Sequence, residues 1–208
     1  MTKIGMLLFP RLTQLDLTAP YEVLHRVPGA EVHLLWKSLE PVRNSANMAI
    51  VPTKTLADCP DLDVLFIPGG FGQEAAAEDP QVLEFVRGQG EKASWVTSVC
   101  TGSLLLGAAG LLEGYEATTH WAYTDELERF GAKYKKGRVV IDRNRVTAGG
   151  VTAGMDFGLT LAAAMTNDGV AQALQLGLEY DPAPPYDCGH PDRADPEMVA
   201  AVRSHLRG

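Results

Sequence analysis

The sequence predicts a single-domain α/β fold with a mostly parallel sheet flanked by helices. Three observations carry this. Short apolar segments alternate with helix-like segments along the chain, the pattern of strands joined by helical crossovers. Residues 63–67 are nearly all apolar, as in a strand covered by helices on both faces. The residues best suited to chemistry fall just after expected strands, where open α/β sheets place their sites. A chain of 208 residues, 46% hydrophobic and 21% charged, has room for one domain and a short appendage.

In order, residues 3–9 read as a buried first strand and 10–15 as a loop. A helix then opens, with Thr18 as its expected N-cap, Pro20 in its first turn and Pro28-Gly29 as its stop. Residues 31–36 form a second strand, alternating at Val32, Leu34 and Trp36. Residues 41–53 read as a hairpin or irregular excursion. The apolar strand 63–67 leads into Pro68-Gly69-Gly70. A helix from Pro80 is expected to end near Gly88 and Gly90. The strand 95–99 meets a helix that stops at Gly110. A short strand at 116–118 precedes a helix through Phe130, and 139–142 pairs with 145–148 across Arg143-Asn144. Helices follow at about 152–165 and 169–177. Residues 181–196 are rich in Pro, Asp and Gly and read as extended, with a helical turn or two at 197–206. The expected organisation is an α/β domain at 1–180 and a Pro-rich C-terminal tail at 181–208.

The net charge of −8 argues against nonspecific binding to nucleic acid or anionic membrane, which needs basic surface. The apolar run at 4–9 is short and broken at Pro10, so no signal peptide is expected. The longest candidate membrane stretch, 104–112, is short and carries Gly107 and Gly110. Cys59, Cys100 and Cys188 are odd in number and irregularly spaced, unlike a disulfide framework. No paired-cysteine or His-Glu-x-x-His spacing suggests zinc. A reducing, cytoplasmic setting is the expectation.

Cys100 is the most informative residue. It joins the strand 95–99 to the helix beginning Thr101-Gly102-Ser103. That is the strand–turn–helix arrangement of a nucleophile elbow, with sulfur in place of a serine oxygen. Unpaired N–H groups and the dipole at a helix start are expected to favour its thiolate. A buried structural cysteine is the plain alternative. Asp16 has apolar neighbours that would raise its pKa and suit it to acid–base work, or it caps the helix near Thr18. The amides of Gly69 and Gly70, with those of Thr101 and Gly102, are candidates for an oxyanion hole; a plain tight turn is the alternative. His120 is a candidate base, a pocket wall or a structural group. Cys59 and Cys188 read as structural.

With these residues assembled, the chain resembles the DJ/PfpI superfamily of the class I glutamine amidotransferase-like fold, from the first strand to about Tyr180. The segments that carry this are Ile-Pro-Gly-Gly at 67–70, Ser-Val-Cys-Thr-Gly-Ser at 98–103, Ala-Thr-Thr-His-Trp at 117–121 and Thr-Ala-Gly-Gly-Val-Thr-Ala-Gly-Met-Asp at 147–156. The fold implied is a flavodoxin-like sandwich. Most members hold the reactive cysteine with a glutamate after the first strand; Asp16 takes that place here. Aspartate there, Thr101 after the cysteine, and Leu-Glu-Tyr-Asp-Pro-Ala-Pro-Pro-Tyr at 178–186 are similar to members that hydrate isocyanides to N-substituted formamides. Thr101 stands where protease-like members carry histidine, which argues against a peptidase. Related transcription regulators carry a basic helix-turn-helix domain, for which the residues up to Gly208 leave no room.

The resemblance implies catalysis by Cys100 as nucleophile and Asp16 as acid and then base, through a covalent thioimidate. Gly69, Gly70 and Thr101 would bind and orient, with no metal or organic cofactor. The implied partners are a small-molecule isocyanide and a second copy in a homodimer, to which the apolar helix near Thr152 is expected to contribute. No nucleic acid or membrane is implied. The competing reading is a redox-sensing or aldehyde-detoxifying protein using the same cysteine.

Overall fold

The computed structural model describes residues 1–207. Strand β1 (Thr2–Leu7) is buried from Ile4 onward and leads through a loop into helix α1 (Gln14–Leu24). That helix starts four residues before Thr18. Thr13 holds the N-cap position without a side-chain bond, so Thr18 is not the cap and Asp16 lies inside the first turn. Pro20 sits within the helix and leaves the Asp16 carbonyl without its usual donor. Burial of Leu17, Ala19, Val23 and Leu24 outweighs that loss.

Strand β2 (Ala30–Trp36) precedes a small antiparallel hairpin of β3 (Val42–Arg43) and β4 (Ala49–Ile50), and an edge strand β5 (Lys54–Thr55). Strand β6 (Val64–Ile67) is buried throughout, and a short helix α2 (Gln73–Glu78) follows. Helix α3 (Pro80–Lys92) is capped by the Asp79 carboxylate, which accepts from the Gln81 and Val82 amides. It runs through Gly88 and Gly90 instead of stopping there. Gly90 is a contact point: a Cβ would come within 2.3 Å of the Leu111 side chain.

Strand β7 (Trp95–Val99) leads into α4 (Gly102–Ala108). Strands β8 (Glu116–Ala117) and β9 (Lys133–Tyr134) form a separate parallel pair around a 3₁₀ segment, Trp121–Phe130, kinked at Tyr123. The hairpin of β10 (Val139–Asp142) and β11 (Arg145–Ala148) is followed by α5 (Ala153–Met165), α6 (Asp168–Gly177) and α7 (Pro196–Arg207). The last is a full twelve-residue helix, longer than the turn or two expected.

The main sheet has seven strands in the order β10-β11-β7-β6-β1-β2-β5, parallel except for β10. Helices α2, α3 and α4 pack together, and α1 packs against α5. The second packing is close because α5 offers glycines: a Cβ at Gly158 would lie 2.9 Å from Val23 Cβ. Helix α5, expected to help bind a second copy, buries Phe157, Leu161 and Ala162 inside the protomer and leaves Met155, Leu159 and Met165 partly buried. No helix of the described residues is long and apolar enough to cross a membrane.

Strand order changes direction at β1. The chain proceeds to β2 on one side and through β6, β7 and β11 on the other. The carboxyl ends of β1, β6 and β7 therefore border one crevice, the usual place for a site in this architecture.

Candidate active site

Cys100 follows β7 with φ of +57°, a left-handed conformation that costs energy for a non-glycine residue. Its surroundings pin that conformation. The Cys100 N–H is shared between the carbonyls of Ala148 (3.0 Å) and Gly149 (2.9 Å). Its own carbonyl accepts from the hydroxyls of Thr119 (2.9 Å) and Ser103 (3.3 Å). Gly102 is required beside it: a Cβ there would lie 2.2 Å from the Ile67 carbonyl oxygen. The start of α4 thus rests directly on the end of β6, and Cys100 is held buried between the two.

Asp16 is fully buried in the first turn of α1. Its Oδ2 accepts the Gly69 N–H at 3.0 Å. Its Oδ1 is buried without a hydrogen-bond partner, and the Cys100 thiol is the titratable group that bears on this carboxyl. Burial raises the Asp16 pKa to about 7, with the thiol and the Gly69 amide pulling the other way. The Cys100 thiol is pushed well above its ordinary value, first by burial and then by the Asp16 carboxylate. The expected low-pKa thiolate is therefore corrected. The dipole of the short helix α4 does not overcome burial plus a neighbouring anion. The backbone N–H groups of Thr101 and Val151 act in the opposite direction.

The glycine turn is also corrected. Gly69 donates to Asp16, and Gly70 donates to Thr101 Oγ1 at 3.1 Å, so neither amide is free for a ligand. Glycine is needed at 69 for space. A Cβ would lie 2.5 Å from the Thr101 nitrogen and 2.9 Å from Asp16 Oδ2. The two residues tie the end of β6 to both Asp16 and Thr101. The Thr101 hydroxyl proton is not committed to another described residue.

Val151 is the group that sequence reasoning misses. It follows Gly149-Gly150 at the end of β11, and its φ of +28° is unusual for a β-branched residue. It contributes a backbone N–H, and side-chain identity says nothing about that. The only available signal is its position after a strand end, beside a glycine pair. His120 does not contact the thiol pair. Its Nδ1 accepts from the Ala122 N–H at 3.2 Å, burial lowers its pKa, and its ring lies against Gly150. It is a neutral capping residue.

Two cavities flank the elbow. One, of about 680 Å³, includes Gly70, Thr101, Leu104 and Tyr123. The other, of about 560 Å³, includes Thr119, His120, Gly150 and Val151. A larger groove of about 960 Å³ lies between α1, α5 and the 181–193 segment and includes none of the elbow residues. Size does not locate the chemistry here; the carboxyl, the thiol and the convergent N–H groups do.

Residues 2–164 match the DJ-1/PfpI family, and the chain belongs to that family. It is 55% identical over 201 residues to the isonitrile hydratase of Pseudomonas putida, spanning 97% of this chain and 88% of that protein. It is 32% identical over 167 residues to the HTH-type transcriptional regulator GbdR of Pseudomonas aeruginosa, covering 76% of this chain but only 45% of the regulator. The fold is that of a THiJ/PfpI family protein from Pseudomonas syringae, with a TM-score of 0.97 and 46% identity over 99% of this chain and 86% of that one.

Proposed function

We propose that this protein hydrates isocyanides to N-substituted formamides, with Cys100 as nucleophile and Asp16 as the proton-transfer group. The observation that carries the reading is the buried Asp16 carboxyl, raised to about 7 and set against the elbow thiol. The 55% identity to an isonitrile hydratase over nearly the whole chain supports the same chemistry.

The pair acts with one proton between its two members. In the reactive arrangement that proton is on Asp16, and the sulfur is anionic under the Thr101 and Val151 N–H groups. The thiolate adds to the terminal carbon of R–N≡C while Asp16 protonates that carbon. The product is a thioimidate, Cys–S–CH=N–R, beside an Asp16 carboxylate. Water then adds to the same carbon and gives a proton to Asp16. The C–S bond breaks, the electrons return to sulfur, and HO–CH=N–R leaves and tautomerises to the formamide. One isocyanide and one water give one formamide, with thiolate and carboxylic acid restored. We assign to Thr101 the orientation of the water, through its free hydroxyl proton. Gly69 and Gly70 hold the site's shape by letting the β6 end approach Asp16 and Thr101.

We read residues 1–180 as the catalytic α/β unit and 181–208 as an appended tail, in a cytoplasmic homodimer that acts on small molecules. The net charge of −8 supports a small-molecule partner over nucleic acid. A redox-sensing or aldehyde-detoxifying role is less well supported, because the relative that is 55% identical over nearly the whole chain is an isonitrile hydratase.

The test is direct. The purified protein is incubated with a simple aryl isocyanide, and formamide is measured by chromatography. Stoichiometric conversion over many turnovers is expected. Loss of isocyanide without formamide, or no loss at all, would overturn the reading.

A further inference from the structure

The Pro196–Arg207 helix buries none of its residues, so the hydrophobic core does not account for its position. Its hydrogen bonds to the rest of the domain fall in its last turn, while Arg203, one turn earlier, lies 5.2 Å from the Trp121 ring centroid. The Tyr123 hydroxyl donates to the Leu206 carbonyl. The Arg207 Nε donates to the Ala122 carbonyl at 2.7 Å, and the same guanidinium pairs with Asp125 and lies 5.3 Å from the Tyr123 ring centroid. All three partners belong to the kinked 3₁₀ segment. Its kink falls at Tyr123, and Tyr123 lines the 680 Å³ cavity beside the elbow. Leu206 and Arg207 line that cavity too, opposite Gly70 and Thr101.

We propose that the last turn of α7 is the outer wall of the pocket for the isocyanide's R group, and that Leu206 sets how large that group can be. The inference rests on the hydratase reading and goes beyond it by naming where the substrate's side chain lies. An isocyanide is linear through carbon and nitrogen. With its carbon at the sulfur, R must point away from the elbow, into one of the two flanking cavities. The α7 side is the better fit because it presents the larger set of apolar side chains to R, Phe71, Leu104, Tyr123, Phe130 and Leu206; of the charged residues that also line it, Glu126 pairs with Arg129 and Arg207 with Asp125. The residues that hold the wall are Tyr123 and Arg207.

The test compares Leu206→Trp and Leu206→Ala, with Tyr134→Trp as the matching change in the other cavity. Two ratios are read on the full chain. One is kcat/KM for a bulky aryl isocyanide over that for methyl isocyanide. The other is the rate of Cys100 alkylation by a bulky N-aryl iodoacetamide over that by iodoacetamide. Leu206→Trp is expected to lower both ratios about tenfold or more, and Leu206→Ala to raise them, as pocket volume changes of this size do. Tyr134→Trp is expected to leave both where they are. Unchanged ratios in both Leu206 variants, or a shift with Tyr134→Trp alone, would overturn the proposal. If the wild-type chain hydrates no isocyanide, the function reading fails by itself, and the alkylation ratio still decides whether α7 walls the thiol.

Discussion

Two cysteines in this molecule carry thiols pushed upward by burial, and only one sits in a place built for chemistry. Cys59, in the loop before β6, is half-buried; its thiol donates to the Pro60 carbonyl at 3.3 Å and is raised to about 11. Cys100 is raised as well, yet it occupies a left-handed backbone, and a buried carboxyl and the Thr101 and Val151 N–H groups bear on its thiol. A perturbed thiol alone therefore does not identify a nucleophile. What separates the two is a second titratable group that can hold the proton while the sulfur is anionic.

The largest effect expected from this contrast is on Cys100 itself. Cys100→Ala should lower isocyanide turnover by on the order of 10⁴-fold or more, as removal of a covalent nucleophile does. Circular dichroism of the variant should match that of the wild type. Near-normal formamide production by a folded Cys100→Ala protein would end the mechanism.

Asp16→Asn is expected to follow, with turnover down by about 10²–10⁴-fold. The pH dependence sharpens the prediction. The folded carboxyl titrates near 7, above its ordinary 3.8. Its contribution to stability is therefore full below about 4 and is lost as pH rises through 7, when a charge must stay buried. The shift corresponds to roughly 4 kcal/mol in total. Asp16→Asn should thus melt higher than the wild type at pH 8.5, and that advantage should vanish toward pH 4. In the wild type, turnover should rise through about pH 7, as the pair passes from two protons to one. A flat pH profile, or a variant less stable at pH 8.5, would reduce Asp16 to a helix residue.

Gly102→Ala tests the backbone rather than the protons. The added methyl would meet the Ile67 carbonyl at 2.2 Å, so α4 must shift off β6. Overpacking of this kind costs about 1–3 kcal/mol, read as a lowered denaturant midpoint. Turnover should fall too, because Thr101 and its N–H move with the helix start. A variant as stable as the wild type would show that the elbow is not confined there.

Much of this was legible because it depends on side-chain type. The strand–helix alternation gives the sheet, and the Thr-Gly-Ser run after β7 gives the elbow. The carboxyl at 16 and the thiol at 100 are visible as chemistry before any coordinates. What escapes is carried by the backbone. The donor at Val151 and the internal use of the Gly69 and Gly70 amides depend on where N–H vectors point. The start of α1 at Gln14 escapes as well: Pro20 looks like a first-turn residue, yet tertiary burial carries the helix through it. The α7 anchor is illegible for another reason. Tyr123 and Leu206 are 83 residues apart, and their bond involves a carbonyl that any residue could offer.

The smallest expected effect falls on the other cysteine. Cys59→Ser keeps a donor of similar shape, so the bond to the Pro60 carbonyl can be remade. The cost is a more polar atom in a half-buried position beside Gln89, whose amide already donates to the same carbonyl at 3.3 Å. A substitution of this kind is expected to change stability by less than about 1 kcal/mol. Turnover should be unchanged, since nothing near Cys59 can accept its proton at neutral pH; Asp61, the carboxylate that bears on it, is held well below neutrality by Lys92. The decisive readout is modification under native conditions. A stoichiometric isocyanide adduct or alkylation at Cys100, with Cys59 labelled only after unfolding, is the expected mass-spectrometric result. Faster labelling of Cys59 than of the more deeply buried Cys100 in the folded protein would show that burial, rather than the neighbouring carboxyl, governs reactivity here.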